Sequence, residues 1–295
     1  MVSNLICNLC PRECNAERTD EKNQGFCKMP ILPVVARAGL HFWEEPCISG
    51  TNGSGTVFFS GCSLGCVFCQ NNEISHKNFG KKISVERLAE IFKELESKGA
   101  HNINLVNPTH YLDAIEKAFK IYNPNIPVVY NSGGYDTENQ IERASKFTDI
   151  FLMDYKYRSN ERAKKYSKAE NYPEVAEKAI LKCAEIVGEN VVNQDGIMQK
   201  GLIIRHLIMP QGTNDSIEVI KWTENNVPWA FLSLMSQYTP YGDLTKYKEI
   251  NRKITKREYQ KVLDFAAETK INTIFTQELS SSNTQYIPLF NLEGV

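Results

Sequence analysis

The chain has almost no net charge, no long apolar run and no internal repeat. Over 295 residues, 34 Lys and Arg face 35 Asp and Glu, for a formal charge of −1. No field is expected that would draw nucleic acid or an anionic membrane surface. No stretch of 18 or more apolar residues occurs, so no membrane span is expected. Residues 1–7 lack a basic segment followed by an apolar one, so no secretory signal is expected either. The five histidines, His41, His76, His101, His110 and His206, show no ligand spacing, and only His110 falls at an expected site edge. Cysteine is nearly missing from the last three quarters of the chain, where Cys183 stands alone. That absence argues against a disulfide framework, which spreads its pairs through a small scaffold.

The other eight cysteines crowd into residues 7–69, and seven of them form two short-spaced groups. Such spacing in a large chain reads as metal ligation and a reducing, cytoplasmic setting. Cys62, Cys66 and Cys69 follow the apolar run Thr56–Phe59 with the spacing C-x3-C-x2-C. A structural zinc takes four closed ligands, and a four-iron cluster normally takes four thiolates. Three leave one iron open for chemistry. Cys7, Cys10, Cys14 and Cys27 supply four thiols, enough to close a site, and spacing leaves zinc and an auxiliary iron–sulfur cluster equally open. Cys183, on the apolar face of a helix, reads as packing, and Cys47 as an inert buried thiol.

Residues 1–50, punctuated by Cys, Pro and Gly, show no long helical period, and form a separate Cys-rich segment in this reading. Strands and helices then alternate through a core domain over 51–279, with 280–295 as a loop-like closing tail. Strands are expected at 56–60, 103–106, 127–130, 150–156, 202–209, 231–237 and 273–276. Helices are expected at 112–122, 138–147, 174–187, 216–225 and 256–269, with another running from an N-cap at Ser84 to a stop at Gly99. Residues 190–199, containing Asp195 and Gly196, fit a short hairpin. This order gives an α/β fold with a parallel sheet and helical crossovers, in about six units. A barrel that short is expected to be incomplete and open at the side.

In such barrels reactive residues gather at the C-terminal ends of strands. Those ends carry the cysteine loop, Asn107 to His110, Asn131 to Tyr135, Asp154 to Lys156, Arg205, and Gln237 to Pro240. Asp154 and Lys156, two apart in a strand, share a face. Arg205, in an apolar strand, must find acceptors, either on a ligand or in Asp154.

Gly61, Cys62, Cys66, Phe68 and Cys69 together resemble the signature of the radical S-adenosylmethionine (SAM) superfamily. Glu44, Glu45, Pro46, Ile48, Ser49 and Gly50, with Cys7, Leu9, Cys10 and Pro11, further resemble relatives of the pyruvate formate-lyase activating enzymes over most of residues 5–245. The resemblance implies a partial (β/α)6 radical SAM barrel. It implies a 4Fe-4S cluster on Cys62, Cys66 and Cys69, with SAM on the open iron. One electron, from a flavodoxin- or ferredoxin-like donor, would then cleave SAM to methionine and a 5′-deoxyadenosyl radical. By position, Phe68 would lie near adenine, while Asp154, Lys156 and Arg205 match the activases' strand ends. Asn107, Pro108 and Thr109 stand where those enzymes carry Gly-Gly-Glu. Asn131 replaces an aspartate, and Tyr238 stands where a histidine is usual. The implied activity is hydrogen abstraction, from a glycyl radical protein or, alternatively, from a small molecule, peptide or nucleotide. A non-enzymatic electron carrier is a third class.

Overall fold

A computed structural model describes residues 5–21, 24–279 and 288–295. Strands β1 (Leu5–Cys7) and β2 (Ala16–Arg18) pair antiparallel as a ribbon of their own. Strand β3 (Val34–His41) enters the main sheet, and a one-turn helix α1 (Pro46–Ser49) leads into β4 (Ser54–Phe59). After the cysteine loop come α2 (Asn72–Ser75), β5 (Lys81–Lys82) and α3 (Val85–Ser97). The alternation continues with β6 (Ile103–Val106), α4 (Leu112–Ile121), β7 (Val128–Ser132), α5 (Glu138–Ala144) and β8 (Ile150–Asp154). Then follow α6 (Asn160–Ser167), α7 (Tyr172–Val187), β9 (Val191–Val192), β10 (Met198–Leu207) and α8 (Thr213–Asn226). Strand β11 (Phe231–Met235), helix α9 (Lys256–Ala267) and strand β12 (Thr273–Thr276) complete the order.

The sheet runs β12-β11-β10-β8-β7-β6-β4-β3-β5, with β9 hairpinned onto β10. The pairs from β4 to β12 are parallel, whereas β3 lies antiparallel on β4 and β5 on β3. Because β12 and β5 end the path unjoined, the barrel is partial and laterally open. Local chemistry explains the crossovers. The Ser84 hydroxyl caps α3 by accepting from the Arg87 amide, and Leu88, Ile91, Phe92 and Leu95 turn inward against β4 and β6. Burying each such side chain stabilises the fold by about 1.5–3 kcal/mol. Helices α7 and α8 cover β8 and β10 in the same way on the other half. Inside the barrel, Cys47 and Ile48 of α1 pack on Val129, Ile150, Leu152 and Ile203, plugging the end opposite the strand C-termini.

Two expectations need revision. The sheet reaches back to residue 34, ahead of the expected boundary at 50. Strand β3 escaped notice because Ala36, Ala38 and Gly39 dilute its apolar alternation. Helix α6, with only Ala163, Tyr166 and Ser167 buried, was also missed; it is too short to show a period. Among the described residues the parallel strands number seven, β4, β6, β7, β8, β10, β11 and β12, joined by helical crossovers into the six strand–helix units and last strand expected. Of the closing tail, Ser280 to Asn283 lie outside the described residues. The last residues return to β3, where the Leu292 amide donates to the Ala36 carbonyl at 3.0 Å. Cys183 and Cys47 are both buried among apolar side chains.

Candidate active site at the cysteine loop

The loop after β4 begins at Gly61, whose φ of +82° and contact with Met29 leave no space for a side chain. Cys66 is buried, Cys62 and Cys69 are half-buried, and all three are lightly tethered. The Leu64 amide donates to Cys62 Sγ at 3.3 Å, the Ser75 hydroxyl donates to Cys69 Sγ at 3.2 Å, and Cys66 Sγ lies 2.9 Å from Ser167 Oγ. Burial, followed by the charge of Cys66, pushes Cys69 up to about 11, and burial also raises Cys62 and Cys66. The nearby Lys156 ammonium opposes that rise at Cys66. A metal must therefore displace the protons itself, which makes binding pH-dependent.

Cys62, Cys66 and Cys69 line one cavity of about 140 Å3 with Asn107, Asn131, Asp154, Lys156 and Arg205. An adjoining cavity of about 220 Å3 adds Phe68 and Tyr238. The Phe68 and Tyr238 rings pack 5.6 Å apart, while the Tyr238 hydroxyl donates to the Ile250 carbonyl at 2.8 Å. Among the described residues, no three His, Cys, Asp or Glu side chains converge on a point that could grip a single ion.

The polar wall is an ion network. Arg205 Nε donates to Asp154 at 2.9 Å, Nη1 to Glu44 at 3.0 Å and Nη2 to Asn131 at 2.6 Å. Lys156 closes on the other Asp154 oxygen. Burial alone would raise Asp154, but Arg205 and Lys156 outweigh it and hold the carboxyl below its ordinary range. Glu44, reaching Asn104 and Asn131 as well as Arg205, is raised by burial. Asn107 adopts a φ of +60°, and its amide donates to the Asn131 carbonyl at 2.7 Å. Beside Asn131, Gly134 has a φ of +78° and abuts the Asp154 carbonyl.

The structure thus brings together Phe68, Asn107, Asn131, Asp154, Lys156, Arg205 and Tyr238 around the three cysteines. Two expectations are corrected. Thr109 turns away from the cavity, donating to the buried Asp136 carboxylate at 2.8 Å. His110 is buried beneath the loop, 2.7 Å from the Ser60 carbonyl, rather than at the site edge. Sequence reasoning missed Glu44 and Glu45 as site residues. The signal was an acid pair directly before the proline that starts α1.

The N-terminal cysteines form a second group beside the loop. Burial and the neighbouring Cys27, Cys14 and Cys7 push Cys10 up to about 12, against a lowering backbone hydrogen bond. Arg12 docks this segment by donating to the Ser63 carbonyl at 2.7 Å, and it lies 3.9 Å from the Phe26 ring centroid. A cavity of about 600 Å3 between the two groups is lined by Cys14, Cys27 and Cys62.

An open, mostly parallel α/β barrel with three thiols and an ion network at its strand ends defines a cluster-and-cosubstrate enzyme scaffold. Residues 56–221 match the radical SAM superfamily, and the chain belongs to that superfamily. Membership implies a 4Fe-4S cluster and SAM; the three thiols suit the cluster, and the adjoining cavity lined by Phe68, Asp154, Lys156 and Arg205 suits SAM's ring and charged groups. An uncharacterised protein of Methanocaldococcus jannaschii is 30% identical over 279 residues, spanning 91% of this chain and 76% of that one. Among solved structures, Streptococcus suis SuiB aligns over 76% of this chain at 15% identity and a TM-score of 0.51. SuiB bound to its precursor peptide SuiA aligns over 74% with a TM-score of 0.52. At that identity the likeness shows the fold, and the chain spans about half of SuiB, 48% and 47% in the two structures.

Proposed function

We propose that this protein reductively cleaves SAM and uses the resulting radical to abstract hydrogen from a substrate reached through the open side of the barrel. The observation that carries the proposal is the shared cavity of Cys62, Cys66 and Cys69 with Asp154, Lys156 and Arg205. The bound cluster would supply the electron and the iron that chelates the amino acid end of SAM. The chain's own residues bind and orient. Lys156 and the Arg205 N–H groups left over from Asp154, Glu44 and Asn131 offer cationic donors for a carboxylate or ribose hydroxyls, while the Asn107 and Asn131 side-chain amides, donating to the Gly61 carbonyl and to Glu44, position the loop and the ion network. The Phe68 ring offers a face for adenine. Tyr238, pinned through its hydroxyl to Ile250, holds that ring in place and helps exclude water.

Residues 1–50 are proposed as an accessory segment, with Cys7, Cys10, Cys14 and Cys27 holding zinc or an auxiliary cluster, and with a flavodoxin- or ferredoxin-like donor supplying electrons. Anaerobic reconstitution followed by iron, sulfide and zinc analysis tests both metal sites. Wild type should carry about four irons at the first site, with a reduced-state paramagnetic resonance signal that shifts when SAM is added. A signal indifferent to SAM would reject the proposal.

A second reading, activation of a glycyl radical protein, is favoured by the paired Asp154 and Lys156 beside Arg205, a strand-end pattern resembling the activases. It requires a glycyl doublet in a partner protein after incubation with reduced enzyme and SAM. Absence of the doublet, together with deuterium transfer from a small-molecule or peptide pool into 5′-deoxyadenosine, would decide for the first.

A further inference from the structure

On the far side of Arg205 from the cysteines lies a cavity of about 190 Å3 that none of the three cysteines lines. Glu44 and Glu45 form its floor between β3 and α1, and Ser233, Met235 and Gln237 of β11 and its extension form one wall. Arg205, Met235 and Gln237 also line the cavity beside Phe68 and Asp154, so the two spaces adjoin.

Glu45 is only 7% exposed, and its Oε2 has no hydrogen-bond partner among the described residues. Leaving a buried polar oxygen unmet costs about 1–3 kcal/mol, more if charged. Its charged form is otherwise favoured by the Arg205 guanidinium and, more weakly, by its own backbone amide and the Ser233 hydroxyl. Arg205 is already committed to Asp154, Glu44 and Asn131. With all three ionised, the carboxyls of Asp154, Glu44 and Glu45 face two cations, Arg205 and Lys156, with one negative charge over. Burial pushes both glutamates toward protonation, yet a neutral Glu45 would still leave Oε2 unmet. A ligand that donates hydrogen bonds and carries positive charge answers both deficits. The remaining lining, Trp43, Pro46 and Phe275, suits a short alkyl stem behind such a head.

We propose that this cavity binds the ammonium or guanidinium head of an amine substrate, with Glu45 as its anchor and the reacting carbon directed past Arg205 toward the cysteine loop. Calling the ligand a substrate rests on the hydrogen-abstraction reading; the cation site itself does not. The head could belong to a free amine or to a Lys or Arg side chain of a peptide.

The test is calorimetric titration of the anaerobically reconstituted holoenzyme with n-butylammonium, n-butylguanidinium, butyramide and butyrate, and with end-blocked Gly-Lys-Gly and Gly-Arg-Gly peptides. At least one cation should bind wild type, and binding should weaken at least tenfold in Glu45→Gln at unchanged iron content. If Glu45→Gln fails to fold, Thr276→Arg provides the second test, because a tethered guanidinium at the cavity wall should block added cations. A peptide binding more tightly than the free amines assigns the site to a side chain, and the reverse to a small amine. Butyramide binding as well as the cations, cation affinity unchanged in both variants, or no cation binding at all would overturn the proposal. Cation binding without SAM cleavage would instead overturn the hydrogen-abstraction reading and leave the cation site standing.

Discussion

Arg205 divides one guanidinium among Asp154, Glu44 and Asn131, so it ties the ends of β7 and β8 to the segment that precedes α1. Lysine at that position keeps the charge but not the planar fork. Arg205→Lys should therefore retain iron while binding SAM at least tenfold more weakly, as read by equilibrium dialysis of the reconstituted protein. His110 gives a pH prediction. Its Nε2 faces the Ser60 carbonyl, which only accepts, so Nε2 carries a proton and donates it. Burial, aided by the Arg18 charge, depresses its pKa to about 3. Unfolded histidine titrates near pH 6.5. Between those values the unfolded chain holds a proton that the native chain does not, so stability falls as acid is added. The slope is about 1.4 kcal/mol per pH unit for one proton. Urea midpoints should drop from pH 7 to pH 5, and His110→Gln should flatten that dependence by about one proton. Cys62, Cys66 and Cys69 were legible in the sequence because their spacing is local. Glu44 was not, because its partner Arg205 lies 161 residues away and only barrel closure joins them.

At the scale of elements, the loop after β7 is the least tolerant part of the site. A Cβ on Gly134 would stand 2.0 Å from the Asp154 carbonyl, and its φ of +78° disfavours any side chain. Gly134→Ala should displace the β8 end that carries Asp154. Thermal melts should show a destabilisation of about 2 kcal/mol or more, together with loss of SAM binding. Apart from α6, the strand–helix alternation from β4 to β12 was readable from periodicity and, at Ser84, from a cap. Strand β3 was not, because Arg37 and Gly39 interrupt its apolar face and its pairing with β4 carries a register shift. Thr109 misled for a related reason. A strand-end hydroxyl can face either the cavity or the buried Asp136, and Tyr130 and Ser132 had already made the latter a hydrogen-bonding centre.

Over the whole molecule, an unjoined sheet leaves room at the side, while α1 plugs the end opposite the cysteine loop. Substrate and reductant must therefore approach from the lateral gap or the loop face, where the N-terminal segment is docked by Arg12. No helix among the described residues is long and apolar enough to cross a membrane. The central claim is that Cys62, Cys66 and Cys69 hold a cluster with one iron left for SAM. Its most direct measurement is the 5′-deoxyadenosine formed per chain by anaerobically reconstituted, dithionite-reduced protein given SAM. Wild type should release it alongside methionine, and Cys66→Ala should release none. A wild-type chain carrying a complete four-iron cluster, yet forming no more 5′-deoxyadenosine than Cys66→Ala, would contradict the account.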